Sequence, residues 1–158
     1  MRIIPYEEKY QEQVIELILH IQNEEAGIHL SIQEQPDLLN IPLYYEQQGG
    51  EFWLAVDGQE VIGKIALMNY HNGNGVLKKF FVKKERRKQK VGFVLYQTLI
   101  NKAKEDGYHQ LLLDTPSVAA ASHLFYEREG FVRITKEELP FPYTYPDRDS
   151  YLYLLKMA

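Results

Sequence analysis

The chain has 158 residues, 45% of them hydrophobic and 25% charged, with a formal net charge of −4 and no cysteine. That is the length of one ordinary domain and the balance of a globular protein, while the lack of thiols excludes disulfides, thiolate metal sites and a covalent cysteine intermediate. No apolar run approaches the roughly 20 residues that cross a bilayer, and "MRIIPYEEKYQEQ" sets a proline and acids where a secretory leader needs an unbroken apolar stretch; the expectation is a cytoplasmic protein with no membrane partner.

In chain order, "RIIP" reads as a short strand, and "EEKYQEQVIELILHIQ" places Val14, Ile15, Ile18 and Ile21 on one helical face. "QPDLLNIPLYYEQQGG" predicts a second helix that begins after Pro36 and stops at paired glycines. Three strands follow: "EFWLAVD", a hairpin turn at Asp57-Gly58, "EVIGKIALMNY", a looser turn through "HNGNG", and "VLKKFFV". Their short connections predict an antiparallel meander.

Next, Val91, Val94, Leu95, Thr98, Leu99 and Ala103 recur with helical period, and Gly107 closes that helix. "YHQLLLDT" is a nearly continuous apolar run, as in a strand covered on both faces. "SVAAASHLFYEREGF" is helical up to Gly130, and "FVRIT" and "SYLYLLKM" supply two last strands. No repeat, linker or low-complexity tract divides the chain, so residues 1–158 are read as a single domain. Its class is α/β (α+β): a mixed, mostly antiparallel seven-stranded sheet flanked by about four helices.

Charge is divided sharply along this order. Eight of the 18 lysines and arginines lie in residues 78–90, which hold one acid; that segment carries +7 and the remainder −11. A local cationic site on an acidic body suits a compact polyanion better than a duplex, which wants a wide basic surface; nucleic acid is therefore not an expected partner. The other reading of such a run is a solvated loop. What favours a ligand is its place between a strand ending at Val82 and a helix starting near Val91. Free backbone amides and the positive end of the helix dipole make that junction an anion site, and Gly92 lets a phosphate approach the backbone.

With the order of elements added, the sequence resembles the GNAT superfamily of N-acetyltransferases. The family's acetyl-CoA signature is a valine, a short linker, then Arg/Gln-x-x-Gly-x-Gly/Ala opening a helix; here it stands as Val82 and then Arg87-Lys88-Gln89-Lys90-Val91-Gly92. A second family element, a helix ending in Leu-x-Tyr-Glu-x-x-Gly-Phe or a close variant, stands as Leu124-Phe125-Tyr126-Glu127-Arg128-Glu129-Gly130-Phe131 after "LLLDT". One departure is Lys90, where the family has its first loop glycine; a positive φ there would cost lysine about 1 kcal/mol.

The resemblance implies parallel fourth and fifth strands that splay apart, with acetyl-CoA as co-substrate in the gap. Phe80, Phe81 and Val82 would meet the pantetheine arm through their main chain, and Arg87, Lys88, Gln89, Lys90, Val91, Gly92 and Phe93 would hold the diphosphate. Tyr126 occupies the family's general-acid position, and the implied reaction is direct attack of a primary amine, on a small molecule or peptide, upon the acetyl carbon. A base is not assigned: "VLKKFFV" has no acid, and Glu24, Glu25, His29, His71, His123, Asp147 and Asp149 are candidates elsewhere. The five histidines lack ligand spacing, so no metal is expected. Lys90 and the missing strand-four acid also admit a non-catalytic module that senses acyl-CoA. A homodimer is left open.

Overall fold

The computed structural model describes residues 1–144 and 149–157. Strands β1 (Arg2–Pro5), β2 (Glu51–Asp57), β3 (Glu60–Asn69), β4 (Asn74–Val82), β5 (Gln110–Pro116), β6 (Val132–Ile134) and β7 (Ser150–Lys156) form one sheet in the order β1-β2-β3-β4-β5-β7-β6. Every neighbouring pair is antiparallel except β4 and β5. The helices are α1 (Gln11–Leu19), α2 (Ile41–Tyr44), α3 (Val91–Glu105) and α4 (Ala120–Arg128). Among the described residues, no helix is long and apolar enough to cross a membrane.

The helices cover both faces, so the sheet is buried twice. On one side Val14, Leu17 and Ile18 of α1 pack with Leu38, Ile41, Tyr45, Phe52 and Leu54; on the other, Leu95, Leu99 and Ala103 of α3 and Tyr126 of α4 pack with Ile65, Leu67, Leu111 and Tyr153. Burying a Leu- or Val-sized side chain contributes about 1.5–3 kcal/mol, so these two layers outweigh every polar contact described below. Helix α3 lies close against β3 at Gly63, where a Cβ would come within 3.1 Å of Leu95 Cδ1 and 3.2 Å of the Phe81 carbonyl oxygen. That contact fixes where α3 starts.

Three expectations are corrected. The predicted second helix is broken into a 3-10 turn at Pro36–Leu39, the four-residue α2, and another 3-10 turn at Glu46–Gln48. Proline at position 42 lacks the amide to continue a helix begun at Pro36, and Asn40 caps a new start by accepting from the Leu43 amide. Helix α1 ends at Leu19 and passes into a π-helical turn, His20–Glu25. On α3 the buried stripe is Val91, Leu95, Tyr96, Leu99, Ile100 and Ala103. Val94 is exposed, and Thr98 back-bonds to its carbonyl at 2.8 Å; the larger Tyr96 and Ile100 win the inner positions.

Candidate active site

Strands β4 and β5 pair only through Asn74, Gly75 and Val76 against Gln110, Leu111 and Leu112. Beyond that point β4 continues against β3 alone and β5 against β7 alone, so residues 77–82 face an opening on the β5 side. The cause is local. Ala66 pairs with Lys78 and Lys64 with Phe81, which sets Lys79 and Phe80 opposite the single residue Ile65. This is a β-bulge that bends the strand, and Lys79 sits in it with φ of 54°.

At the end of β4 the chain makes a 3-10 turn, Lys84–Arg86, and enters α3 through Lys90, whose φ of 64° is left-handed. Lys88 is left-handed too, at 69°. The positive φ that would suit a glycine is thus realised on lysine. No amide of residues 88–93 donates a well-formed hydrogen bond to another backbone carbonyl among the described residues, and no side chain caps α3. Successive unused amides ahead of a helix form an anion-binding concavity.

Gly92 adds an independent sign. Its backbone is helical, and a Cβ there would meet Phe80 Cζ at 3.5 Å and Val82 Cγ2 at 3.7 Å, ordinary contact distances. The protein's own packing does not require glycine, although glycine costs a helix about 1 kcal/mol relative to alanine. What glycine provides there is a backbone bare of a side chain beside the first amides of α3.

The basic loop is partly neutralised from within. Lys83 pairs with Glu60 at 2.6 Å, Arg86 with Asp57 at 2.8 Å, and Arg87 with Glu25 at 2.6 Å. Arg87 Nε also donates to the Val82 carbonyl at 3.1 Å, so this one side chain joins the end of β4 to Glu25 in the π-helical turn. Among the described residues Lys84, Lys88 and Lys90 form no ion pair, so their charge is available at the amide concavity. An open cleft of about 860 Å³ beside the loop is lined by Glu16, His20, Glu25, Lys83 and Lys84; Phe80, Phe81 and Tyr126 take no part in it.

Tyr126 is 6% exposed. Its ring packs against Phe131, Phe125, Tyr153 and Phe80 at centroid distances of 5.6, 5.8, 6.2 and 6.4 Å. Burial, followed by Tyr96 and Asp114, pushes its phenol upward from the usual value of 10. The hydroxyl therefore holds its proton throughout the physiological range, as a proton donor must. Phe80 and Phe81 are divided by the bulge: Phe80 packs on the α3 and α4 side, Phe81 on the α1 side.

Most of the suggested bases are engaged or outside the opening. Glu25 is held by Arg87, with His20 Nε2 at 3.7 Å. His123 Nε2 lies 2.9 Å from the Pro116 carbonyl oxygen, and its ring lies against Tyr151. Asp149 accepts from Ser117 Oγ at 2.5 Å. Glu24, His29 and His71 are exposed, and Asp147 lies outside the described residues.

What sequence reasoning passed over is a buried polar cluster on the α1 side of the opening. Lys79 Nζ donates to Gln35 Oε1 and lies 3.9 Å from Asp37 Oδ2. Tyr45 donates to that same oxygen at 2.6 Å. Lys64, wholly buried, donates to the Lys79 carbonyl and stands 4.5 Å from the centre of the Phe81 ring. Burial, and then Lys79, hold the Lys64 amine well below its usual 10.5. Tyr143 donates to Asp114 on β5, and Tyr70 lies 5.7 Å from Tyr143 and 5.6 Å from Phe141. The signal was present: two adjacent lysines in a strand cannot both follow an alternation of period two. No group of three or more His, Cys, Asp or Glu poised for a metal occurs among the described residues.

Comparison with known proteins agrees with this arrangement. A family model described as "Acetyltransferase (GNAT) family" matches residues 15–131. The structure superposes on a crystallised acetyltransferase from Streptococcus agalactiae with a TM-score of 0.95, at 36% identity over 99% of this chain and 98% of that one. It superposes on the PaiA N-acetyltransferase of Thermoplasma acidophilum, solved in complex with coenzyme A, with a TM-score of 0.77 at 18% identity, over 99% and 98% of the two chains. A curated relative, N-acetylaspartate synthetase of Danio rerio, is 31% identical over 70% of this chain and 39% of its own length. The chain spans about half the length, or less, of the first curated relatives it matches.

Proposed function

The chain belongs to the acetyltransferase (GNAT) family, and from that premise we propose that it acts as a single cytoplasmic domain moving an acetyl group from acetyl-CoA directly to a primary amine of a small molecule or peptide. The observation that carries the reading is the run of unused amides at residues 88–93 beside the mouth of the splayed strands. Those amides, with Lys88, Lys90 and an Arg87 released from Glu25, suit a diphosphate. The main chain of Phe80, Phe81 and Val82 lines the opening a pantetheine arm would enter, and the bare backbone at Gly92 suits a phosphate at close range.

The chemistry asked of the chain is modest. A leaving thiolate with a pKa near 8.5 is helped by a proton donor, and Tyr126 is the buried, protonated phenol on the α4 side of the opening. On the other side Asp114 lies among the rings of Tyr70, Tyr143 and Phe141, with the buried Asp37 adding negative charge behind them, an environment that favours a cationic amine. The relatives' names point to amines of different kinds, N-acetylaspartate synthetase and streptothricin acetyltransferase A among them.

Two measurements test the reading. Calorimetry with coenzyme A should show binding in the micromolar range, and absence of heat at millimolar ligand would overturn the cofactor site. Thiol release from acetyl-CoA should then be followed against L-aspartate, L-lysine, spermidine and peptides with free N-termini. Binding without release on any amine would favour the sensing module.

A further inference from the structure

The amine of Lys79 is a chemically active group on the strand bordering the opening for which the reading above has no use. It belongs to β4 itself, one residue before Phe80. The left-handed turn at its own Cα sends its side chain toward the α1 face, whereas Phe80 packs on the opposite face with Tyr126. Asp114 on β5 acts electrostatically on both Lys79 and Tyr126. The phenol and the amine therefore flank the opening from its two sides. The Lys79 side chain is 13% exposed, buried enough to be held in place and open enough to be met.

We propose that Lys79 is the proton acceptor of the transfer reaction, taking a proton from the acceptor's ammonium as its nitrogen attacks the thioester. This rests on the acetyl-transfer reading above and supplies the base that β4 lacks as an acid. An alkylammonium with a pKa near 10.4 is about one part in a thousand neutral at physiological pH, so a base beside it matters. The most effective base titrates near the working pH.

The surroundings of Lys79 make it such a base. Burial pulls its amine down from 10.5 to about 8, Asp37 and Asp114 oppose the shift and Lys78 adds to it; Lys64, the other amine close by, donates to the Lys79 carbonyl. Gln35 accepts a hydrogen bond from Nζ, which aims the amine, and Asp37 stands ready to stabilise the ammonium it becomes. The alternatives are spoken for: Asp37 by Tyr45, Asp114 by Tyr143, and Lys64 is sealed from any substrate.

The step balances without a further reagent. Neutral Nζ takes one N–H proton from the acceptor; the freed lone pair forms the C–N bond at the acetyl carbonyl. The C–S bond then breaks with its electron pair on sulfur, which takes the Tyr126 proton, and the phenolate recovers a proton from the nitrogen of the new amide. Lys79 returns its own proton to solvent.

The test compares kcat/KM against pH for wild type, K79Q and K79R, using the fastest amine of the panel above, with melting and coenzyme A binding followed in parallel. Wild type should rise with a limb near pH 8 and fall as the acceptor loses its proton. K79Q should lose roughly 100-fold or more and rise with unit slope to the acceptor's own pKa, without the break near 8. K79R keeps the charge facing Asp37 yet cannot release its proton, so it should be as slow as K79Q. Wild type without a limb near 8, K79R near the wild-type rate, or K79Q retaining the break would each overturn the assignment and leave acetyl transfer standing. If wild type binds coenzyme A and acetylates no amine, both readings fall together.

Discussion

Replacing Gly92 with alanine should move stability and cofactor affinity in opposite directions. The new Cβ would lie 3.5 and 3.7 Å from two Phe80 ring carbons and 3.7 Å from Val82 Cγ2, three carbon contacts worth about 0.1–0.2 kcal/mol each. Exchange of glycine for alanine on a helical backbone adds about 1 kcal/mol, part of it through the unfolded chain. The sum, about 1.5 kcal/mol, corresponds to a rise in melting temperature of about 4 °C for a chain of this size. Coenzyme A should meet the opposite effect, because a methyl group beside the amide crowds the approach of a phosphate oxygen; a loss of about tenfold, or 1.4 kcal/mol, is expected. Scanning calorimetry and titration calorimetry on the same preparation read both numbers. An alanine variant that binds coenzyme A like wild type would show that no phosphate approaches Gly92, and one that melts lower would show that the packing around it has been misjudged.

Tyr126→Phe should lower kcat by about 100-fold with coenzyme A affinity within twofold of wild type, and an unchanged kcat would remove the phenol from the mechanism. Arg87→Ala, which breaks a half-exposed pair with Glu25 worth less than about 1 kcal/mol, should leave melting nearly unchanged and weaken coenzyme A about fivefold; equal affinities would place the guanidinium outside the diphosphate site. Lys64→Met should change how stability depends on pH. Because the folded Lys64 amine lies well below 10.5, the unfolded chain binds a proton that the native state does not, so wild-type stability climbs as pH rises between the folded and unfolded values. Methionine removes that slope, and urea denaturation should find the variant ahead at pH 7 with its advantage shrinking toward pH 10; a constant difference at both would refute the assignment.

The strands β2, β3 and β5 and helix α3 were legible because their signals are redundant. Apolar runs in β2, β3 and β5 stand between glycine-bearing turns, and the basic junction before α3 is marked by both charge and Gly92. The second helix misled because Pro36 and Pro42 each look like a helix start, and only the cap at Asn40 decides where the real one begins. The bulge was half visible. Lys78 and Lys79 break the alternation of β4, yet which of them turns inward depends on Gln35 and Asp37, more than 40 positions away, whose approach no local pattern reveals. For the same reason Arg87 was read as a free phosphate ligand: Glu25, its partner, belongs to a π-helical turn that apolar periodicity does not announce.

The two margins of the sheet are unusually brief. One is β1, four residues ending at Pro5, and the other is β6, only three residues. Short rims, one of them closed by a residue without an amide, give a passing strand little to grip. Two copies joined rim to rim would share three or four residue pairs, too few to hold a continuous sheet across both, so any lasting association of this chain with itself has to be built from helix faces or loops.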